Sequence, residues 1–300
     1  MNPTALDWTD LQAFLLLMRE GSLSAAARFL NVTQPTVRRR LDALERSVGT
    51  VLFTRSPTGL TPTEAARDLG FYAEAMAAAA DAFARTASAD AGSIRGTVRI
   101  TASDVVGAEV LPAMLAGLRE AHPDLVLELH LSNRNEDLLR QEADIAIRMI
   151  RPAQAALVAQ RVGVIGLGLF AHRSYLDRHG TPETIEALRN FSIIGPDRDM
   201  SDLRRLADLG FALPHEAFAI RTDNQLAHLG LIKAGLGIGI CQIALGRRHP
   251  DLVHILPDGF RYGLETWVAM HEDLKRVERV RAVFGHLVRS LTEYAAETPG

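Results

Sequence analysis

One cysteine, Cys241, stands in 300 residues. No disulfide can close within such a chain, and a lone thiol fits a reducing compartment. Neither sign of charge is in large excess: the formal net charge is −3. The chain as a whole is therefore no polycation, and contact with nucleic acid would need a local basic patch. No apolar run reaches membrane-spanning length, and no charged-apolar-small pattern marks a signal peptide at the amino terminus. A soluble cytoplasmic protein without membrane contact is the expectation. Catalytic and metal signatures are missing as well. The pairs His172/His179 and His249/His254 lack metal-ligand spacing. Gly235-Leu236-Gly237-Ile238-Gly239 lacks the G-x-G-x-x-G spacing of a nucleotide loop. Cys241 follows an apolar strand pattern without a local histidine and reads as a small buried hydrophobe. Asp197, Arg198 and Asp199 read as a solvated loop. No enzyme, no metal and no cofactor are expected.

What is present begins at Ser22–Arg40, SLSAAARFLNVTQPTVRRR. Two short helical patterns meet at the turn Leu30-Asn31-Val32-Thr33, with Asn31 suited to a left-handed position. A helix capped by Thr9, with Gln12 reaching back, precedes them and places Leu11, Phe14, Leu15 and Met18 on one face before Gly21 stops it. Ser22 caps the second helix and Thr33 the third, whose first turn tolerates Pro35. Val37, Leu41, Leu44 and Val48 form a buried stripe in the third helix. Thr33, Gln34, Thr36, Arg38 and Arg39 fall largely off it. Glutamine suits an adenine edge, arginine a guanine edge or a phosphate. An RRR run alone reads as a solvated face; with the preceding helix and turn it reads as a DNA-reading helix. Val51-Leu52-Phe53 and Gly59-Leu60-Thr61 flank the turn Ser56-Pro57-Thr58 as a hairpin wing, whose Arg55 is placed to reach phosphate or a minor groove.

Thr61-Pro62-Thr63-Glu64 predicts a helix start, with Thr61 as N-cap and Pro62 at the first helical position. Ala65, Leu69, Tyr72, Met76, Ala79 and Phe83 then step at heptad spacing along an alanine-rich helix reaching about Ala91. This seam needs a partner, either another subunit or the rest of the chain; a second subunit is favoured because a paired reader engages two half-sites. Gly92-Ser93 reads as a hinge. From Thr97 onward strands and helices alternate, as in parallel sheets covered by helices. The strand patterns lie at Val98–Ala102, Leu125–Leu131, Asp144–Arg148, Gly166–Ala171, Phe191–Ile194, Phe218–Thr222, Gly237–Cys241, Leu252–Leu256 and Glu265–Met270. Leu138-Leu139 belongs to a short helix, and Lys275–Tyr294 is a final amphipathic helix. Such folds bind ligands beyond the carboxyl ends of their strands.

This order of parts resembles the LysR-type transcriptional regulators over essentially the whole chain. The residues carrying the resemblance are Ala25–Pro35, Leu44-Glu45, Gly49, Leu52–Arg55, Leu60–Ala65, Ala143–Arg148 and Ala234–Ile238. The resemblance implies an α+β multidomain fold: a winged helix-turn-helix over 1–61, a dimerising linker helix over 62–92 and a two-lobed α/β effector domain over 93–300 that resembles type 2 periplasmic binding proteins. Lobe one would take 93–164 and 267–300, lobe two 165–266, with crossings near Arg161–Ile165 and Tyr262–Trp267. The implied function is sequence-specific DNA binding at an inverted repeat, as a homodimer or homotetramer, under control of a small-molecule effector between the lobes. Double-stranded DNA, a second copy of the chain, RNA polymerase and the effector are the implied partners. An architectural DNA-binding protein without an effector is the alternative, against which the large α/β region weighs.

The implied DNA-binding residues are Ser22, Thr33, Gln34, Pro35, Thr36, Arg38, Arg39 and Arg55. Dimerisation falls to Leu69, Tyr72, Met76 and Phe83. The implied effector pocket takes in Ser103, Asp104, Ser132, Asn133, Arg148, Phe170, Gly195, Thr222 and Asn224. A helix N-terminus at Ser103 and the charge of Arg148 favour an anionic effector, whereas Asp104 favours an amine or hydroxyl; Arg148 reads equally well as a salt bridge between lobes. Two positions depart from the family pattern. Arg38 stands where a small polar residue is usual, which would strengthen DNA contact. Ala66 stands where glycine is frequent, which favours helix.

Overall fold

The computed structural model describes residues 6–56, 59–87, 94–133, 143–152, 157–199 and 213–297. Residues 57 and 58 of the wing turn, the end of the linker helix near Ala91, the Gly92-Ser93 hinge and the Leu138-Leu139 helix lie outside them. The chain divides into two compact units that meet at Ala84/Arg85.

In the first unit, α1 (Trp8–Glu20) starts at Asp7, whose carboxylate accepts the Thr9 amide at 2.8 Å and the Thr9 hydroxyl at 2.7 Å. The expected cap at Thr9 therefore moves to Asp7, because a carboxylate satisfies both Thr9 donors at once. Helices α2 (Leu23–Phe29) and α3 (Gln34–Val48) follow, joined through Asn31 at φ +52°. Val37 and Leu41 are fully buried and Leu44 nearly so, packed with Leu11, Phe14, Leu17 and Ala26. The wing consists of β1 (Phe53–Ser56) paired antiparallel with β2 (Gly59–Pro62). Three contacts fix it to the helices. The Glu45 carboxylate accepts the amides of Leu52 at 2.7 Å and Phe53 at 3.3 Å. Phe14 and Phe53 meet edge to face at 5.9 Å. The Leu60 amide donates to the Gly21 carbonyl at 3.0 Å.

Helix α4 spans Glu64–Ala87. Its cap is Thr63, not Thr61: Pro62 closes β2, and the Thr63 hydroxyl accepts the Ala66 amide at 3.2 Å while donating to the Leu52 carbonyl at 3.1 Å. The wing ladder thus claims the two residues that by pattern alone would open the helix.

In the second unit, nine described strands form one sheet. Lobe one carries β3 (Gly96–Ala102), β4 (Leu125–Leu131) and β5 (Ile145–Arg148), parallel to one another. A π-helical turn, Val106–Val110, leads into α5 (Leu111–Ala121). The chain then enters β6 (Leu157–His172), a 16-residue strand. Lobe two adds α6 (Arg173–His179), β7 (Ile193–Gly195), β8 (Phe218–Arg221), α7 (Gln225–Lys233), β9 (Ile238–Gln242), α8 (Ile243–Arg247) and β10 (Leu252–Ile255). The return is β11 (Tyr262–His271), antiparallel to β6 over its full length. The order of strands across the sheet is β4-β3-β5-β11-β6-β9-β7-β8, with β10 on β6.

The sheet is therefore mixed rather than purely parallel. Parallel pairs lie inside each lobe, and the β6/β11 pair joins the lobes. The two expected crossings fall inside these strands, where a register shift at Thr266/Trp267 faces Gly163. Gly163 has φ +141°, and a Cβ there would lie 2.7 Å from the Ala295 methyl. A 3₁₀ turn at Glu272–Arg276 precedes the last helix, α9 (Glu278–Ala296), so that helix begins three residues later than its apolar pattern suggests. Val280, Val283, Leu287 and Leu291 of α9 are buried in the lobe-one core with Val98, Ile100 and Ile145.

Gly59 joins the wing to the turn after α1. Its φ is +135°, and a Cβ would approach the Gly21 carbonyl oxygen to 2.7 Å. Gly59→Ala is expected to destabilise the chain by about 1–3 kcal/mol. A urea midpoint equal to that of the unsubstituted protein would mean that the wing yields without cost.

Candidate nucleic-acid interface and interlobe cleft

Burial of Val37, Leu41 and Leu44 sets the rotation of α3 and turns Thr33, Gln34, Pro35 and Arg39 to solvent, with Thr36 and Arg38 half-buried. Ser22 and Thr33 hold the extended N-cap backbone of α2 and α3, yet neither side chain caps its helix. Thr33 shares a hydrogen bond of 2.9 Å with the Thr36 hydroxyl instead. The Gln34 side-chain amide donates to the Ser24 hydroxyl at 2.5 Å, which bridges the exposed starts of α2 and α3. Arg38 pairs with Asp42 at 2.9 Å, one helical turn on. Such an exposed pair is worth at most about 1 kcal/mol, so a phosphate can displace Asp42. Arg39 is exposed, and Arg55 is exposed on β1. Together these groups offer amide and guanidinium donors on one helix face and one wing, the arrangement that base edges and phosphates require.

Two residues here escape a reading of the sequence. Ser24 partners Gln34, and Glu45 holds the wing root. Only the Arg38/Asp42 pair left a signal, its helical spacing of four.

The heptad seam of α4 is divided. Ala65 and Leu69 pack against the core of the first unit, together with buried Ala66 and Ala73. Tyr72, Met76 and Phe83 are exposed at 64 %, 43 % and 77 %. Leu69 thus belongs at least partly to its own domain, and the outward apolar seam starts at Tyr72.

In the second unit, Ser103 and Asp104 follow β3 and Ser132 and Asn133 follow β4. The Gly107 amide donates to the Ser103 carbonyl at 2.8 Å, so Ser103 borders the helix that begins at Asp104. Asp104 and Asn133 hold each other: the Asp104 amide donates to Asn133 Oδ1 at 3.1 Å, and Asn133 Nδ2 donates to Asp104 Oδ2 at 3.0 Å. On lobe two, the Thr222 amide donates to the Gly195 carbonyl at 2.9 Å. Asn224 caps α7 by accepting the Ala227 amide at 2.8 Å. Asp223 accepts the amides of Asp197, Arg198 and Asp199 at 2.9–3.2 Å. The Arg198 amide foremost, then that of Asp199, holds the Asp223 carboxyl below the usual carboxylate range. Asp197 to Asp199 therefore form a strapped turn rather than a purely solvated loop.

Two expected pocket residues are buried. Phe170 is 1 % exposed and stacks on His254 at 4.7 Å, inside lobe two. Both faces of β6 are covered there, so alternation along the strand does not mark which side chains reach a cleft. Arg148 is buried at 5 % exposure and donates to the Thr101 hydroxyl and the Ile147 carbonyl, both at 3.0 Å. Thr101 and Ile147 belong to lobe one. Ion pairs join the lobes at Lys233 of α7 with Glu109 of the π-helical turn, 3.2 Å to each carboxylate oxygen, and at Arg248 with Glu297, 3.2 Å.

Cys241 is buried, and burial pushes its thiol up to about 12. Burial also lowers His228 to about 4, so its ring is neutral at physiological pH. Among the described residues, no cluster of three or more His, Cys, Asp or Glu is placed to hold a metal, and no helix is long and apolar enough to cross a membrane.

Comparison with known proteins covers both units. Residues 8–67 match the family described as bacterial regulatory helix-turn-helix protein, lysR family, and residues 91–292 match the LysR substrate binding domain. The mau operon transcriptional activator of Paracoccus denitrificans is 36 % identical over 180 residues, which are 60 % of this chain and 62 % of that protein. The match thus spans less than two thirds of that relative. The probable HTH-type transcriptional regulator LtrA of Klebsiella pneumoniae is 27 % identical over 290 residues, 93 % of each chain. Full-length CbnR, solved in complex with its target DNA, shares the fold with a TM-score of 0.68 at 21 % identity, over 95 % of this chain and 99 % of CbnR.

The exposed face of α3 generates a split expectation. Arg39→Ala should weaken binding to all duplexes and reduce the slope of log affinity against log salt by about 0.9. Gln34→Ala should narrow the gap between preferred and shuffled duplexes by about 1–3 kcal/mol. Fluorescence anisotropy at several salt concentrations measures both. An unchanged slope for Arg39→Ala removes that residue from the phosphate contacts.

Proposed function

The chain belongs to the LysR family of DNA-binding transcriptional regulators, and we propose that it reads an inverted-repeat operator as a homodimer or homotetramer and answers a small-molecule effector held between its lobes. The observation that carries this reading is the division of α3, apolar side inward and Gln34, Arg38 and Arg39 on the other side, beside a wing that presents Arg55. Arg38 is the individual element of the reader; its partner Asp42 keeps the guanidinium extended along the helix until DNA replaces the carboxylate. RNA polymerase is the further partner of a reader that acts on transcription, and the cytoplasm is its place of work.

Dimerisation rests on Tyr72, Met76 and Phe83, whose exposed apolar side chains recur at heptad spacing. The effector would seat against Ser103 and Ser132 on lobe one and Thr222 on lobe two. Asp104, Asn133 and Asn224 shape its walls through the hydrogen bonds they already make. A ligand changes the lobe arrangement only by its differential affinity for two arrangements. The Glu109–Lys233 pair is half-exposed and contributes about 1 kcal/mol or less, so a ligand of ordinary affinity suffices to break or tighten it.

Tyr72→Asp with Met76→Asp tests the paired reader without touching the winged-domain core, as Leu69→Asp would. The double variant is expected to sediment as a monomer with an unchanged unfolding midpoint, and to lose at least about a hundredfold in operator affinity. A variant that still sediments as a dimer and binds normally would overturn the seam.

A further inference from the structure

A cavity of about 560 Å³ opens on lobe two, where β6 and β11 run side by side. It is not the interlobe cleft: none of Ser103, Ser132, Gly195 or Thr222 lines it. Val164 and Leu167 of β6, Ile243 of α8, Pro257 and Tyr262 form its apolar wall. Gly166 and Gly263 face each other in the β6/β11 ladder, so part of the floor is bare backbone. Three nitrogen-bearing side chains complete the lining: Arg247, Arg261 and His254.

Their chemistry is one-sided. Arg247 is exposed and makes no hydrogen bond or ion pair with the other described residues. Arg261 donates through Nη2 to Asp258 at 3.0 Å and through Nε to the Pro257 carbonyl at 3.2 Å, so its guanidinium is held at the rim with donors to spare. The His254 ring lies flat on Phe170, and its Nε2 is buried without a hydrogen-bond partner. Burial first, then the nearby Arg247 and Arg261, lowers the His254 pKa, with Asp258 opposing. Two guanidinium groups and one carboxylate, Asp258, thus stand about the ring, a local excess of positive charge in spite of the chain's negative balance. The volume falls in the range of small-molecule pockets, which pair apolar walls with a few polar groups.

We propose that this cavity is a second ligand site, separate from the interlobe cleft, for an amphipathic carboxylate whose apolar body lies against Val164, Leu167, Ile243 and Tyr262 and whose carboxylate is taken by Arg247 and Arg261. Arginine suits a carboxylate because its planar donors engage both oxygens. The site touches both strands that cross between the lobes, within a few residues of Gly163 and the Thr266/Trp267 register shift. A ligand there stiffens the crossing without entering the cleft.

Phenylacetate is the probe, with phenylacetamide as its uncharged counterpart, both titrated calorimetrically into the full-length protein. The expected results are saturable phenylacetate binding, about tenfold or more weaker binding of the amide, and a loss of about tenfold or more in Arg247→Gln. Histidine ring NMR signals locate the site: the His254 resonances should shift with phenylacetate, and the His254 pKa should rise as the carboxylate offsets the two guanidinium groups. Ser103→Ala, in the interlobe cleft, should leave phenylacetate affinity within twofold. The proposal is overturned if phenylacetate does not bind, if the amide or Arg247→Gln binds as well, or if binding leaves the His254 signals unmoved.

Discussion

The setting of one helix about its own axis is the constraint on which the reader depends. Val37, Leu41 and Leu44 are driven out of water, and each is worth about 1.5–3 kcal/mol when fully buried. Rotating α3 by a quarter turn would expose them and bury Arg38 or Arg39 unpaired, a loss no surface contact could offset. The donors on the other face are therefore held in place by the core beneath them. The same helix anchors the wing: Glu45, near its carboxyl end, accepts two amides at the root of β1. Helix and wing thus move as one body, so Gln34 and Arg55 keep a fixed relation without touching each other.

The second unit solves a different problem, to hold two lobes together. Strands β6 and β11 pair from Leu157/His271 to Leu167/Tyr262, which gives the lobes a continuous hydrogen-bonded spine. The ladder is interrupted at the Thr266/Trp267 register shift, beside Gly163, which lies against the Ala295 methyl. Side-chain contacts bracket that point. Glu109–Lys233 links the lobes on one side. On another, Tyr294 of α9 donates to Gln242 at 2.7 Å, and Arg248 lies over the Tyr294 ring and pairs with Glu297 at 3.2 Å. Burial raises the Tyr294 phenol well above its usual range, so the donated proton stays in place at any physiological pH.

Much of this was legible in the residues. The stripe of α3 and the strand runs rest on a periodicity that burial imposes directly, and the left-handed Asn31 on the ease with which asparagine takes a positive φ. The misreadings share another cause, competition between elements. Pro62 reads as the first residue of a helix, yet the wing ladder holds it and Thr63 inherits the cap. Leu69 reads as a seam residue, yet the winged-domain core lies closer. The single strand β6 reads as a crossing plus a separate strand because Gly163, Gly166 and Gly168 interrupt its apolar pattern. Phe170 and Arg148 show the limit at the pocket: no pattern along a strand covered on both faces tells which side chain meets a ligand and which meets a neighbour.

For the proposed reading to hold, the outward face of α3 must distinguish one DNA sequence from another. The most direct test is the affinity of the full-length protein for the duplex upstream of its own gene and for a shuffled duplex of equal length, at one physiological salt concentration. The upstream duplex is expected to bind at least about a thousandfold more tightly. Equal affinity for the two would contradict it and leave a protein that grips DNA through phosphates alone.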